Sequence, residues 1–285
     1  MSVIICDSDS ELFYERADEV GVKVIKMPYI VDGEEFLYNL GRDEDSKEFF
    51  DKMRNGAKVS TAALNTEDYR EFFEPLFKAG EEMLYIAFSS KMSGTFNYLE
   101  LTLNELREQY PDAKYQRFDT LSISMGTGIQ VYLAAKYFNE GHTIDETVKY
   151  LESLRDRVGL YFSVDNLEYL KRGGRISPVA AAFGNLLNLK PVLKINDGSL
   201  GVASKEKGKK KAFSYMLNNV FSDDVDLTCP IVVLHADVEE DGVAFADKIR
   251  EHFGEEANIW IQQVGPIIGA HCGPGTVGVV YVKKN

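Results

Sequence analysis

Apolar and polar positions fall in alternating blocks along the chain, and the blocks predict strands and helices in turn. Residues 3–6 form an apolar run that opens into Asp7-Ser8-Asp9-Ser10, a cluster of capping residues, and residues 11–20 then take helical spacing. A strand is predicted over 22–27, and Asp32-Gly33 between two short apolar runs marks a hairpin. The spacing predicts a helix over 46–54 with Phe49, Phe50 and Met53 buried. Residues 59–66 show no period, and Asn65 or Thr66 caps a helix that carries Tyr69, Phe72, Phe73 and Leu76. Strands over 83–88 and 114–118 then alternate with helices over 96–110, 128–139 and 144–158.

The second half continues with strands over 160–164, 229–236, 259–264 and 277–282, a helix over 243–253 and a second hairpin around Asp197-Gly198. A helix over 178–187 is small and apolar almost all round, which suits either a buried core element or the wall of an apolar tunnel. Lys205, Lys207, Lys209, Lys210 and Lys211 open a helix that runs to 220, an anomalous basic patch on an acidic chain. Residues 265–276 crowd Gly and Pro around His271 and predict a rigid loop. The pattern as a whole is α/β. A mostly parallel sheet flanked by helices is expected over 1–158, and a second α/β domain with a mixed or antiparallel sheet over 159–285, since 285 residues exceed what one core usually serves.

Composition removes several classes of function. A net charge of −13 and a pI near 4.9 argue against nucleic acid and against broad adhesion to anionic lipid. The first residues enter a strand with no basic or apolar leader, and no apolar run is long enough to cross a bilayer. Cys6, Cys229 and Cys272 are too few and too far apart for a disulfide framework or a zinc knuckle. A cytoplasmic monomer without metal or cofactor is expected.

The candidate chemistry sits at strand tips. Residues 89–95 read Ser-Ser-Lys-Met-Ser-Gly-Thr, between an apolar strand and a helix start, where free backbone N–H groups and the positive end of the helix dipole converge. That suits plain helix capping or a small anion. The Gly-Lys-Ser/Thr ending of a Walker A loop is missing, and Ser93 lacks the Gly two residues earlier that a nucleophile elbow needs. Residues 119–128 repeat the theme with hydroxyls and Gly entering a helix.

Six blocks, taken in order, resemble the DegV family over nearly the whole chain: Asp7-Ser8, SSKMSGTF at 89–96, the 119–128 tip, LEYLKRGGRIS at 167–177, LLNLKPVLKINDG at 186–198 and GPIIGAHCGPGTVG at 265–278. The resemblance implies a bacterial carrier in phospholipid metabolism, not an enzyme, that binds one long-chain fatty acid between its domains. In some members it presents the acid to the ATP-using subunit of a fatty acid kinase. It implies carboxylate-binding hydroxyls at Thr61 and Ser93, with Gly94, Thr95 and His271 also beside the ligand. Arg172, Arg175, Lys207 and Lys209 fall on a surface facing a partner or phosphate, and transient membrane contact is compatible with the family.

Two departures stand out. The family's Thr-Ser-Gln-Pro-Ser run is replaced by Thr61-Ala62-Ala63-Leu64-Asn65, and Lys207 and Lys209 stand where many members carry Arg, without its bidentate fork. The alternatives of another kind are a hydrolase built on Ser93 and His271 with Asp7 or Asp119, and a sensor whose domains close on lipid.

Overall fold

The computed structural model describes residues 2–165, 167–176 and 189–285. Ser177 and the apolar helix expected over 178–187 lie outside the described residues. The first half runs β1 (Ser2–Asp7), α1 (Tyr14–Val20), β2 (Lys23–Ile25), β3 (Pro28–Val31), β4 (Glu34–Leu37), α2 (Ser46–Arg54), β5 (Val59–Thr61), α3 (Thr66–Lys78), β6 (Glu82–Ala87), α4 (Phe96–Gln109), β7 (Lys114–Asp119), α5 (Met125–Asn139) and α6 (Ile144–Arg155). β2, β1, β6 and β7 pair in that order, all parallel. The chain leaves β1 toward one edge and later returns on its other side. The tips of β1 and β6 therefore flank the reversal of strand order, where open α/β sheets gather ligands.

Local signals explain most of these elements. α2 buries Phe49, Phe50 and Met53 as its spacing predicts. Asn65 caps α3 through a reciprocal capping box with Asp68. Two departures have physical reasons. α1 begins at Tyr14, because Ser8–Ser10 wind a 3₁₀ turn and Glu11 takes φ 57 and is buried. β5 lies in the stretch that showed no period; at three residues it is too short to show one, and its pairing with β3, itself paired with β4, makes it a strand.

The second half runs β8 (Val158–Ser163), α7 (Glu168–Arg172), β9 (Leu189–Asn196), β10 (Ser199–Lys207), α8 (Lys209–Ser222), β11 (Ile231–His235), α9 (Glu239–Phe253), β12 (Ile259–Gln263), α10 (Pro266–Cys272) and β13 (Val277–Val282). The sheet order is β10-β9-β8-β13-β11-β12, with β11 and β12 parallel and every other pairing antiparallel. Alternation decides where each side chain goes. Val279, Tyr281 and Val233 face a cluster with Met216 of α8 and Phe245 of α9, whereas Val280, Val282, Val232 and Leu234 face the core shared with the first half. Both faces are covered, so these strands read as continuous apolar runs.

Two expectations are corrected here. The loop expected at 265–276 opens with α10, since Pro266 at its first turn suits helical φ and Gly273 at φ 77 ends it. Lys205 and Lys207 belong to β10, and the helix begins only at Lys209.

Candidate functional site

A cavity of about 430 Å³ lies between the carboxyl tips of the parallel sheet and one face of the mixed sheet. Asp9 beyond β1, Phe88 and Ser93 beyond β6, and Ile123 and Ser124 beyond β7 supply one side. Leu160, Phe162, Leu234 and Val280 supply an apolar floor. Gly278 keeps that floor low: a Cβ there would come within 3.1 Å of Phe162 Cβ. The exposed members of the lining, Ala63, Gly94, Asn97 and Tyr98, mark the opening, and Thr61 and Ser93 are half-buried.

Thr61 is fixed by the pairing of β5 with Tyr29 of β3, and its Oγ1 lies 2.9 Å from His271 Nε2 on α10. Gly173 makes room for that ring, for a Cβ there would sit 2.3 Å from Nδ1. Burial first, then the Arg175 charge, pushes the His271 pKa down to about 4, so the imidazole is neutral. Nδ1 is buried without a partner among the described residues. A bare lone pair is tolerated there better than an orphaned N–H, which assigns the hydrogen to Nε2. His271 then donates to Thr61, and the Thr61 hydroxyl keeps its own hydrogen for a further acceptor.

The hydroxyl-rich tip after β6 divides its work. Ser89 donates to the Gly198 carbonyl at 2.6 Å, docking the β9–β10 hairpin, and Lys91 pairs with Asp197 beside it. Ser93 Oγ accepts from Thr95 N at 3.2 Å and remains in the lining. Thr95 does not: its hydroxyl is buried 2.6 Å from the Tyr69 hydroxyl, so only its backbone belongs to the tip.

Arg175, expected near the ligand mouth or on a surface facing a partner or phosphate, lines the cavity. Gly174 at φ 69 is the reason. Arg175 N bonds the Leu170 carbonyl and Gly174 N bonds that of Lys171, a Schellman stop that folds the chain back over α7. Arg172 stays exposed with its guanidinium 5.4 Å from the Tyr169 ring centroid. Lys207 is exposed at the end of β10, and Lys209 holds both Asp241 oxygens at 2.7 and 2.6 Å. Thr61, Ser93, Gly94, Arg175 and His271 thus share one cavity, while Arg172, Lys207 and Lys209 lie outside its lining.

The hydrolase constellation is not assembled among the described residues. His271 Nε2 faces Thr61 rather than Ser93, Asp7 accepts from the Tyr85 hydroxyl at 2.6 Å, and Asp119 accepts from Leu121 N at 2.9 Å. No group of His, Cys, Asp and Glu among the described residues is arranged to hold a metal, and no helix there is long and apolar enough to cross a membrane.

A wholly buried acidic segment was missed from sequence, where it reads as caps. Burial raises Asp7 to about 6 and Glu11 to about 8, and burial with its acidic neighbours raises Asp9 as well. Glu11 accepts from Gly265 N at 3.0 and 3.2 Å. Its place at the tip of the first strand was the available signal.

A family model described as an uncharacterised protein of the DegV family matches residues 1–284. The chain belongs to the DegV family. A DegV domain-containing protein of Clostridium perfringens is 36% identical over 282 residues, covering 98% of this chain and 97% of that one. A second, from Streptococcus pyogenes, is 32% identical over 287 residues, covering 99% and 98%. Among solved structures, a DegV family protein from Thermus thermophilus, reported for its fatty acid binding, is 27% identical with a TM-score of 0.84 over 99% of both chains. A DegV lipid-binding protein from Thermotoga maritima is 26% identical with a TM-score of 0.85 over the whole of both. The parallel sheet flanked by helices and the mixed sheet are therefore the DegV fold.

Proposed function

We propose that this DegV protein binds a single long-chain fatty acid in the cavity, with the carboxylate on the hydroxyls of Thr61 and Ser93 and the backbone N–H of Gly94. One observation carries the reading: a space of about 430 Å³ combines an apolar floor with two half-buried hydroxyls in the same lining. A buried acyl chain gains about 0.8 kcal/mol per methylene, so a sixteen-carbon tail supplies on the order of 10 kcal/mol before ordering costs. The carboxylate adds little affinity, because its lost hydration must be replaced by hydrogen bonds. The Thermus and Thermotoga relatives support this ligand class.

His271 orients Thr61 in this reading, and the Arg175 guanidinium makes the local potential favour an anion. Neutral hydroxyl donors leave a carboxylate oxygen available as a nucleophile, as a carrier serving a kinase requires. Arg172, Lys207 and Lys209, outside the lining, are then the groups for a partner. The division at 158/159 belongs to the same reading, since all strands of the parallel sheet precede it and the strands of the mixed sheet follow it, apart from Val158, the first residue of β8.

Native mass spectrometry of the protein purified from a bacterial host tests the proposal. A co-purifying free fatty acid, lost in the Thr61→Val/Ser93→Ala double variant, is expected. A protein without bound acid and without affinity after delipidation refutes it. For the carrier role, Arg172→Ala or Lys209→Ala is expected to leave binding intact while lowering coupled acyl-phosphate formation; equal loss of both contradicts the division of labour.

A further inference from the structure

Besides His271, two polar side chains of this cavity carry a buried atom without a partner among the described residues. Asp9 Oδ1 and Ser124 Oγ are shielded from water and make no hydrogen bond, on residues that are 7% and 4% exposed and belong to the lining. They come from the tips of β1 and β7, which flank β6 on either side. Gly128, one turn beyond Ser124, lies so close to the segment after Asp9 that a Cβ would sit 2.5 Å from the Ser10 carbonyl oxygen. Both groups are more deeply buried than Thr61, Ser93 and Gly94.

Ser124 adds a second peculiarity. Its backbone holds φ 49 and ψ −144, a conformation that glycine adopts at less cost, yet the side chain carried there bonds nothing among the described residues. Burial, reinforced by Asp7 and Glu11 and opposed by Arg175, holds the Asp9 carboxyl above the usual carboxylate range. A neutral carboxyl is a hydrogen-bond donor as well as an acceptor. A plain hydrocarbon chain passing these groups leaves both as they are in the free protein, whereas a ligand oxygen that pairs with either of them raises affinity by about tenfold.

We infer that Asp9 and Ser124 form a second polar station that receives an oxygen borne on the acyl chain, so that a hydroxy or oxo fatty acid is a better ligand than the unsubstituted acid of the same length. A hydroxyl or keto oxygen accepts from the Asp9 carboxyl and the Ser124 hydroxyl, and a hydroxyl also donates back to either. The inference rests on the fatty-acid reading above and narrows it to a substrate class.

The test uses the full chain after delipidation, titrated calorimetrically with stearic acid and with hydroxy- and oxostearic acids that differ in the position of the substituent. At least one isomer is expected to bind about tenfold more tightly than stearic acid. Asp9→Leu is expected to abolish that preference by weakening the favoured isomer, and Ser124→Gly to reduce it while keeping the backbone unstrained. If Asp9→Leu does not fold, Ser124→Gly alone decides, and an undiminished preference in it overturns the assignment. Stearic acid binding as tightly as every isomer overturns the second station and leaves the fatty-acid reading standing. No affinity for any acid overturns both.

Discussion

The tips of β1 and β6 are neighbours on one edge of the parallel sheet and open into the same cavity, yet they are electrostatic opposites. The β6 tip offers Ser93 and Gly94, uncharged, the first half-buried and the second exposed. The β1 tip buries Asp7, Asp9 and Glu11, all held above their ordinary pKa because burial disfavours their charged forms. A carboxylate ligand therefore belongs at the β6 tip, where neutral donors replace its hydration. Placed at the β1 tip it would add a fourth acid to three that already resist ionising. Position on the sheet creates the crevice, and side-chain chemistry divides it.

The sharpest way to break this comparison is to make the two tips alike. Ser93→Asp puts a carboxylate beside the ligand head, and like charges about 4 Å apart at an effective dielectric of about 20 repel by about 4 kcal/mol, roughly a thousandfold in affinity. Undiminished fatty-acid affinity in an equilibrium titration of this variant would place the head elsewhere.

The β1 tip is probed by pH. Glu11 titrates near 4.5 when unfolded and about 8 in the folded protein. Its contribution is fully present below 4.5, is lost as pH rises toward 8 because only the unfolded chain ionises readily, and is flat above that. The loss is on the order of a few kcal/mol. Calorimetric melting at pH 5 and pH 8 is expected to show a smaller fall for Glu11→Gln than for the parent; parallel profiles would mean that Glu11 is not held neutral.

Removing single donors at the mouth has a more modest effect. Thr61→Val and Ser93→Ala are each expected to weaken fatty-acid binding about tenfold to a hundredfold, the range of hydrogen bonds to a charged group. Binding unaffected by both would leave the β6 tip a mere helix cap. The smallest effect belongs to Lys209→Ala. Its pair with Asp241 lies at the surface and outside the cavity, so less than about 1 kcal/mol of stability and no affinity for the acid should be lost. A tenfold change in affinity would join that surface to the cavity.

Much of the fold was legible along the chain because period and capping are local. α2 with its three buried residues, the Asn65 cap and the alternation of strand with helix follow from residues within a turn or two of one another. β5 was not legible, because three residues carry no period, and α10 was hidden by Gly and Pro that read equally well as a loop. The candidate site was legible in part. Ser93, Thr61 and His271 stand in marked sequence blocks, but that Thr95 turns inward, that Arg175 folds back over α7 and that Asp9 is buried depends on what packs against each.

By itself the chain determined most of the succession of elements, β5 and α10 apart, the two apolar faces of β11 and β13 and the hydroxyls available at the strand tips, since each is settled by neighbours in sequence. Only the tertiary structure decided which of those groups meet. Thr61 and His271 lie 210 positions apart and 2.9 Å from each other. Such contacts are set by strand order and by which side chains lose water together, and neither is a property of any local stretch.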